Sequence, residues 1–591
     1  MMNTFDAIII GSGAAAYSCA DWLYKENITN IAVITENRLS GTSRNTGSDK
    51  QTYYKMSLDG FCQDSPHKMA NDIYKTGCCD GEKMYLQASN SLRCFFRLCD
   101  YGVDFPTDIY GGFPGYKTDH DNTVRATSVG PFTSEIMTEK LEYHVLERNK
   151  TPLFDKRQVV EIIKENDRVS GLVALNTETD EFEAFFAENI ICATGAPACI
   201  YERSVFPHSQ HGMTGILIDA GVSLCNFSQW QYGMASVGFR WNVSGSFMQV
   251  IPRFVSVDEN GNEREFLREY FSSTEEMCDN IFLKGYQWPF SFERSEKSSK
   301  VDIAVHNETE KGRKVYLDYT KNPTGFSFEK LNEETRDYLT HNDAIAPTPI
   351  ERLEKLNSKA IEVYLGQNID IRTEKLRIAV CAQHNNGGAY TDNNCETHIK
   401  GLYVIGEAAG TFGLSRPGGT ALNDTQVSGL LCARHIKNKA FSSENFCPEL
   451  PEKYKKLMDN FVIDSTVNYS HITTKMSNCA AFLRKKEECE KLLDEIKKLL
   501  ENYPMKHRSL SEYFCDKDML TSAKALLETI IGEMTLTGSR GGAVFIEGGN
   551  IKKENLSYRQ YLTVTSEGKI SFQKTKPVPE VSEPFEKYLG K

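Results

Sequence analysis

The sequence predicts an α/β protein: a Rossmann-like domain, an α+β capping domain inserted into it, and a helical C-terminal domain. Three observations lead to this prediction. An apolar run over residues 5–10 leads directly into a glycine turn and a helical pattern. Two further apolar runs, ending near residues 195 and 406, complete the same kind of sheet far along the chain. Beyond residue 441 the apolar residues recur at helical spacing, with lysine and glutamate between them.

The glycine turn has the pattern that a dinucleotide requires at its pyrophosphate. Residues 11–16 read Gly-Ser-Gly-Ala-Ala-Ala, and the following residues, up to residue 24, are predicted to be helical. Gly11 allows the tight turn after the strand, and Gly13 lets the backbone approach a pyrophosphate. Ala16 lets helix and strand pack closely. Ala14 and Ala15 then lie at the positive end of the helix dipole, where the phosphates are expected.

A second predicted strand, over residues 30–35, ends in Glu36. A carboxylate at this place accepts hydrogen bonds from a ribose and repels a 2′-phosphate. Strand, turn, helix, strand and acid in this order predict a dinucleotide site. They do not separate FAD from NAD.

Two distant segments separate the two cofactors. Residues 189–195 are an apolar run that ends in Ala-Thr-Gly, and residues 399–409 are another that contains Gly-Glu. Rossmann-like FAD domains carry both, and the second closes the site roughly 400 residues after it opened. An NAD domain normally completes its sheet within about 150 to 200 residues. The sequence therefore predicts an FAD-binding domain, with these further contact residues: Ala193, Thr194, Gly195, Gly406 and Glu407.

A glycine-rich stretch over residues 412–422 reads Phe-Gly-Leu-Ser-Arg-Pro-Gly-Gly-Thr-Ala-Leu. It resembles the His-Gly-x-x-Arg-x-Gly-Gly-x-x-Leu stretch of the succinate dehydrogenase/fumarate reductase flavoprotein family, which includes L-aspartate oxidase. Residues 381–388 are similar to the family's His-Tyr-Thr-Met-Gly-Gly segment, and residues 537–542 to its Glu-Ser-Arg-Gly-Ala motif. Residues 562–578 are similar to its closing strands. The resemblance implies an FAD-dependent oxidoreductase that exchanges hydride at flavin N5.

The resemblance also implies roles for particular residues. Arg416 matches the family's substrate-binding arginine, whose planar fork suits a carboxylate. A helix is expected to begin after Gly419, with its N-terminus toward the polar edge of the flavin and with Ala421 and Leu422 in its first turn. Residues 43–48 lack the histidine to which respiratory members attach FAD, so noncovalent FAD is expected. The residues expected to bond the pyrophosphate or the ring are Ser43, Asn45, Thr46 and Ser48.

Four positions depart from the family pattern, all in regions of substrate binding and proton transfer. Gln383 stands where the family has a histidine, and His384, one position later, either takes over that role or is a core histidine. Gln231 stands in place of a substrate-binding histidine. Lys300 is the cation nearest to the expected place of a proton-delivering arginine, and Phe412 stands in place of a third histidine.

These departures favour a larger or less charged substrate than succinate or fumarate. Three aromatic residues are either part of the pocket wall or ordinary core: Trp230, Tyr232 and Phe412. We expect an enzyme that reduces, or reversibly oxidises, a C=C bond next to a carboxylate, with Arg416 as clamp and His384 or Lys300 as proton donor. The alternatives are an amino-acid or amine oxidase like L-aspartate oxidase and a non-catalytic FAD electron-relay subunit.

Composition limits the partners. A net charge of -12 opposes binding to nucleic acid or an anionic membrane surface, and no apolar run suffices for a membrane span or a signal peptide. A cytoplasmic protein with a small-molecule substrate is therefore expected.

The 17 cysteines include no Cys-x-x-Cys pair, which argues against a zinc ribbon, an ordinary iron–sulfur ligand cluster or attached haem, and no metal is expected. Electrons would be exchanged with a separate electron-transfer protein of the iron–sulfur type, a diffusible donor or, as acceptor, oxygen.

The predicted domain limits follow the motifs. They are residues 1–235 and 360–440 for the two parts of the FAD-binding domain, 236–359 for the capping domain, 441–546 for the helical domain, and 547–591 for a tail with short strands.

Overall fold

The computed structural model describes residues 4–60, 62–118, 121–439, 451–580 and 587. The first region, residues 4–229, contains β1 Thr4–Ile10, α1 Ala14–Lys25, β2 Ile31–Ile34, α2 Thr42–Asn45, β3 Tyr53–Tyr54, α3 Pro66–Tyr74, α4 Gly81–Asp100, β4 Tyr116–Thr118, β5 Asp121–Thr127, α5 Thr133–Glu142, β6 Leu153–Phe154, β7 Arg157–Glu165, β8 Arg168–Asn176, β9 Glu181–Cys192, α6 Thr214–Asp219 and β10 Leu224–Cys225.

The second region, residues 230–385, contains β11 Trp230–Ser236, β12 Trp241–Asn242, α7 Ser246–Gln249, β13 Arg253–Val257, β14 Glu263–Arg264, α8 Thr274–Leu283, α9 Lys300–Glu310, β15 Lys314–Asp318, α10 Glu333–His341, α11 Pro349–Leu365 and β16 Leu376–Asn385. The third, residues 386–439, contains β17 Gly388–Ala389, β18 Leu402–Val404 and α12 Thr420–Lys437.

The remaining elements form the C-terminal part of the chain. They are α13 Glu452–Asn460, β19 Val462–Ile463, α14 Ser470–Cys479, β20 Leu483–Lys485, α15 Lys486–Glu501, β21 Lys506–His507, α16 Leu510–Leu536, β22 Val544–Glu547, β23 Asn550–Ile551, β24 Tyr561–Ser566 and β25 Lys569–Lys574.

A seven-stranded sheet forms the centre of the first region, in the order β6-β2-β1-β9-β8-β7 with β18 paired to β9. Strands β1, β2, β9 and β18 run parallel, which places their carboxyl ends at one edge. Ile191 in β9 has Ile9 of β1 on one side and Tyr403 of β18 on the other. The expected α/β fold is confirmed, since one sheet joins the start of the chain to a segment roughly 400 residues later.

Helices α1 and α12 pack side by side over this sheet. Small residues allow the close approach: Ala14, Ala15 and Ala16 in α1 are all buried. Gly429 in α12 lies against the α1 backbone, and a Cβ there would come within 2.9 Å of the Cys19 nitrogen. The spacing of the two helices therefore depends on a missing side chain.

The inserted region is built on a six-stranded sheet in the order β12-β11-β16-β15-β13-β14. The sheet begins with β11 and ends with β16, so it extends beyond residues 236 and 359, the limits that we expected for the capping domain. Strand β11 is buried along its whole length, so no change of polarity marks its start. Residue 359, the other expected limit, falls inside α11.

A large apolar core joins the inserted region to the helical region. Phe482 ahead of β20 packs against Phe290 and His306 of the inserted region, with ring centroids 4.9 Å apart in each pair. Tyr201 shares a hydrogen bond of 2.9 Å with the hydroxyl of Tyr232 and donates one of 2.9 Å to the Ala480 carbonyl. The inserted and helical regions are thus packed together through aromatic residues.

The C-terminal strands return to the first region. Strand β24 pairs with β10, placing Thr565 opposite Leu224, so the expected tail is part of a sheet. The buried Arg540 forms a 3.0 Å ion pair with buried Glu533 on α16, and Ser228 also donates to that carboxylate. Within the described residues, no helix combines the length and the hydropathy that crossing a bilayer requires.

Candidate functional site

A cavity of about 410 Å³ lies at the carboxyl-terminal edge of the parallel strands, where an open α/β sheet binds its ligand. Its volume is within the usual range of ligand sites. The following residues that the sequence singled out line the cavity: Gly11, Gly13, Ala14, Ala15, Glu36, Ser43, Thr46, Ser48, Ala193, Thr194, Gly195, His384, Glu407, Arg416, Gly419, Ala421 and Leu422.

The turn after β1 brings two backbone segments into contact. Gly11 has a φ of +116°, and a Cβ there would lie 2.6 Å from the Ala193 carbonyl oxygen. A Cβ on Gly13 would lie 3.0 Å from Ser43 Oγ, which accepts a 3.1 Å hydrogen bond from the Ala14 N–H. Gly11 therefore lets the turn pass close to the end of β9, and Gly13 lets α1 begin close to Ser43.

Two helix N-termini face this cavity. Residues of the first turns of α1 and α12 line it, and neither first turn contains an acidic residue. Gly419, the residue before α12, has a φ of +91° and lies against Thr52. The unneutralised positive ends of the two helix dipoles favour an anion at two places in one cavity, as a pyrophosphate and a flavin ring would require.

The end of the cavity next to β2 is built from three parts of the chain. Glu36 Oε2 lies 3.2 Å from His211 Nδ1, and Cys515 Sγ on α16 lies 3.4 Å from the same nitrogen. Although burial opposes it, the hydrogen bonds with Cys515 and Glu36 raise the pKa of His211 well above its ordinary value. A protonated imidazole here holds the Glu36 carboxylate in place for a ribose.

Two of the expected cofactor residues do not line the cavity. Asn45 is exposed, and its side-chain amide donates to two backbone carbonyls of the preceding loop, at 3.0 and 2.9 Å. Gly406 has a φ of +62°, and a Cβ there would lie 2.9 Å from the Ala15 Cβ. Gly406 therefore supports α1 from behind.

Two of the expected catalytic residues also lie outside the cavity lining. Gln231 is buried in β11, and its Nε2 donates to the Arg416 carbonyl at 3.5 Å. Lys300 begins α9, and its Nζ pairs with Glu296 at 3.0 Å. The structure thus brings His384 and Arg416 together at the cavity but not Gln231 or Lys300.

A β-bulge explains why two consecutive residues of β16 face the cavity. In the pairing of β11 with β16, Gln231 lies opposite His384 and Tyr232 lies opposite Ala382, so Gln383 is the extra residue. A regular strand points neighbouring side chains to opposite faces, and a bulge re-aims one of them. Gln383 and His384 both line the cavity as a result.

Of the three aromatic candidates, Phe412 packs behind two cavity residues, and the other two belong to the core. The Phe412 ring lies edge-on to the His384 ring at 4.8 Å, and the Arg416 guanidinium lies 5.8 Å from the Phe412 centroid. Phe412 therefore supports both cavity residues from behind. Trp230 and Tyr232 are fully buried in the core shared with Tyr201. Of the two interpretations, pocket wall or ordinary core, the second holds for Trp230 and Tyr232.

Burial shifts the pKa values of two neighbouring cavity groups, Glu407 and His384. Burial raises the pKa of Glu407 to about 7, although the Asn385 N–H and Arg416 oppose this shift. Burial and Arg416 lower the pKa of His384 well below its ordinary value. Because His384 Nδ1 lies 2.9 Å from Asn386 Oδ1, we assign its hydrogen to Nδ1 and leave Nε2 as an acceptor, 3.7 Å from Glu407 Oε1.

The lining fits FAD. The glycine cradle and the α1 N-terminus suit a pyrophosphate, Glu36 suits a ribose, and the α12 N-terminus suits the polar edge of a flavin. Thr194 Oγ1 is buried at the cavity without a hydrogen-bond partner among the described residues, as expected of a group that a ligand satisfies.

Several lining residues were missed at the sequence level. They are Gln210, His211, Trp288 and Cys515. Gln210 donates to the Thr194 carbonyl at 2.6 Å, and its Oε1 accepts from the hydroxyl of Thr42 at 3.1 Å, so it ties together two walls of the cavity. No local pattern marks these residues, because long-range packing alone brings them to the cavity.

A family model supports the cofactor. Residues 6–422, more than two thirds of the chain, match the family described as FAD binding domain.

Curated relatives and solved structures agree with that match. The chain is 23% identical over 511 residues to one component of the fumarate reductase (CoM/CoB) of Methanothermobacter marburgensis, covering 84% of this chain and 85% of that protein. It is 22% identical over 490 residues to the L-aspartate oxidase of Yersinia pestis, covering 77% and 79% respectively. A variant of E. coli quinol fumarate reductase superposes with a TM-score of 0.72 at 19% identity, covering 99% of this chain and 98% of that one. At this identity the structural likeness concerns the fold.

Replacement of Gly11 by alanine tests the backbone cradle. We expect Gly11→Ala to weaken FAD binding by about 10- to 100-fold, because the new Cβ is both strained at positive φ and in contact with the Ala193 carbonyl. Titration of the apoprotein with FAD, followed by flavin fluorescence, measures this. Gly366→Ala, at the ordinary φ of -60° after α11, is the matched control. Equal affinity in Gly11→Ala and the control would contradict the assignment.

Proposed function

Because the chain belongs to the FAD binding domain family, we propose that it is a reductase that adds hydrogen across a C=C bond next to a carboxylate. The chain binds FAD and is an FAD-dependent oxidoreductase of the group that includes fumarate reductase, succinate dehydrogenase flavoproteins and L-aspartate oxidase. The family expected from its motifs is thereby confirmed. The reductase proposal rests on one observation: Arg416, His384 and Glu407 line the same cavity as the N-terminus of α12.

In this proposal the protein orients the cofactor through the groups already described. Glu36 would hold the ribose, the α1 N-terminus would hold the pyrophosphate, and the α12 N-terminus would face the polar edge of the flavin, since all three line the cavity. When bound, FAD supplies the two-electron chemistry, a hydride exchanged at N5. Reduction of the C=C bond adds that hydride to one carbon and one proton to the other. The side chains at the cavity must therefore bind the acid group and deliver the proton.

Arg416 is the proposed clamp for the carboxylate of the substrate. It is 7% exposed, it lines the cavity, and its guanidinium is steadied by the Phe412 ring. A guanidinium donates two parallel hydrogen bonds to a carboxylate, which fixes the orientation of the neighbouring C=C bond. It also withdraws electrons from that bond, so the far carbon accepts hydride more readily.

His384 is the proposed proton donor, supplied by Glu407. Glu407 is protonated about half of the time near pH 7, and its carboxyl lies 3.7 Å from the acceptor Nε2 of His384. A proton passed to Nε2 is held only weakly, because burial and Arg416 disfavour the imidazolium. A weakly held proton is readily released to a carbon in the cavity. Lys300, paired with Glu296, takes no part in this proposal.

We propose that the electrons come from a separate donor. Two of the similar proteins are described as subunits of fumarate reductases, which supports an electron-transfer partner protein such as an iron–sulfur protein. A diffusible reductant would serve the same chemistry. The flavin is proposed to be held without a covalent bond, since residues 42–48 next to the cavity contain no histidine.

Acid precipitation tests the noncovalent proposal. We expect all of the flavin to be released into the supernatant when the holoprotein is denatured with trichloroacetic acid, because only noncovalent contacts hold it. The absorbance of supernatant and pellet measures this. A yellow, fluorescent polypeptide in the pellet would contradict it.

Replacement of Arg416 tests the function itself. Holoprotein reduced with dithionite under argon is mixed in a stopped-flow instrument with enoates, and reoxidation of the flavin is followed. We expect at least one enoate to reoxidise the wild type, and Arg416→Ala to lower that rate about 100-fold or more with FAD content unchanged. Arg372→Ala, whose side chain pairs with Asp370 at the surface, is the control.

Other outcomes of the same experiment point to other functions. If no enoate reoxidises the flavin and hydrogen peroxide forms from an amino acid in air, the protein is an oxidase and not a reductase. If neither enoates nor amino acids react, the result favours an electron-relay subunit.

The pH dependence of reoxidation tests the proton route. The pKa of Glu407 is raised to about 7, so its proton is present below that pH and is lost above it. We expect the rate with an enoate to fall as pH rises through about 7. Glu407→Gln cannot ionise, and its rate should be lower and level across this range. A wild-type profile that rises through the same range, or one that Glu407→Gln leaves unaltered, would exclude Glu407 as the proton source.

A further inference from the structure

We propose that the site selects enoates that carry a single carboxylate and end, on the other side of the C=C bond, in an uncharged group of the carboxamide type. This inference rests on the proposed function and names its substrate class. It is carried by two buried polar atoms that line the cavity without partners among the described residues: Gln383 Oε1 and Trp288 Nε1.

The orientation of the Gln383 amide is fixed by the chain itself. Its Nε2 donates to the Met234 carbonyl at 3.1 Å, which leaves Oε1 as the atom without a partner. The residue is 8% exposed, and the bulge in β16 turns it toward the cavity beside His384. A buried carbonyl oxygen in this state favours a ligand that brings an N–H or O–H.

The Trp288 indole lies next to that amide. A Cβ built on Gly233 would lie 2.3 Å from Trp288 Nε1 and 3.1 Å from Gln383 Nε2, so the two side chains meet over this glycine. The indole N–H is a donor only, and it is buried. Two neighbouring side chains of the cavity lining therefore carry an acceptor, Gln383 Oε1, and a donor, Trp288 Nε1.

The charges of the same region disfavour a second carboxylate. Among the described arginines and lysines that line the cavity, Arg416 is buried, Lys50 and Arg157 are half-buried, and Lys117 is exposed. The Arg157 guanidinium pairs with the Glu183 carboxylate at 2.9 Å. Once Arg416 holds one carboxylate, a second one would face the acceptors Gln383 Oε1 and His384 Nε2. An anion against two acceptors in a desolvated site is repelled.

A carboxamide satisfies both unpaired atoms. Its N–H donates to Gln383 Oε1, and its carbonyl accepts from Trp288 Nε1, while the carboxylate at the other end of the molecule binds Arg416. In this arrangement the carboxylate is paired with Arg416. Gln383 Oε1 and Trp288 Nε1 both have hydrogen-bond partners.

The first test compares two products of equal size on the oxidised holoenzyme. Succinate carries two carboxylates and succinamate carries one carboxylate and one carboxamide. Their dissociation constants are measured from the change in flavin absorbance. We expect succinamate to bind about 100-fold more tightly. Equal affinity, or tighter binding of succinate, would overturn the proposal.

Variants then assign the preference to the two side chains. Gln383→Arg supplies a cation at the same place and should reverse the preference toward succinate. Trp288→Phe removes the indole N–H while keeping an aromatic ring, and it should weaken the binding of succinamate about 10-fold more than that of succinate. If Gln383→Arg fails to retain FAD, Gln383→Met takes its place. This variant introduces no charge and should lower the preference for succinamate. Gln367→Arg, exposed at the end of α11, is the control and should bind like the wild type. A preference that survives both Gln383 variants would overturn the assignment.

Turnover separates this inference from the proposed function. Reduced holoenzyme under argon is mixed with fumarate or with its monoamide, fumaramate, which have the same carbon skeleton. Faster flavin reoxidation by fumaramate supports both proposals. Tighter binding of succinamate without reoxidation by either compound would support the selectivity and overturn the reductase. Faster reoxidation by fumarate would support the reductase and overturn the selectivity.

Discussion

The contact of two backbone segments at Gly11 is the constraint on which the cofactor site depends. Strands β1 and β9 are neighbours in the parallel sheet, and the turn after β1 passes so close to Ala193 that a side chain has no room. This contact fixes where α1 begins and therefore where its N-terminus points. Since β18 pairs with the other side of β9, it also fixes where Glu407 and the segment before α12 lie. The cavity is the space that remains between these strand ends and the two helices.

The inserted domain completes the site through one irregularity. A regular β16 would turn either Gln383 or His384 away from the cavity, and the bulge turns both toward it. The same bulge turns the Gln383 side chain, with its unpaired acceptor, into the lining that also contains Trp288, while Arg416 and Glu407 come from the Rossmann-like part. In the proposed reaction, binding of the substrate is thus shared between the two parts of the molecule, and the proposed proton route depends on a pair, His384 and Glu407, that spans them.

Much of the fold and of the cofactor site could be predicted from the sequence because the signals are local. Gly11, Gly13 and the alanines of α1 follow from the geometry of one turn, and they line the cavity as a set. The substrate end could not be predicted in the same way. Lys300 was the nearest cation in sequence, yet α9 directs it to Glu296. The bulge at Gln383 and the contact of Cys515 with His211 depend on pairings over long distances in the chain, which no local pattern encodes.

The position of the flavin ring in a crystal structure of the oxidised holoenzyme tests the proposed site most directly. We predict the adenosine beside Glu36 and His211, the pyrophosphate at the α1 N-terminus, and the isoalloxazine ring at the α12 N-terminus within reach of Arg416 and His384. A ring bound elsewhere, or an FAD in the opposite direction, would contradict this prediction, because the proposed clamp and proton route would then lie far from the reacting atoms.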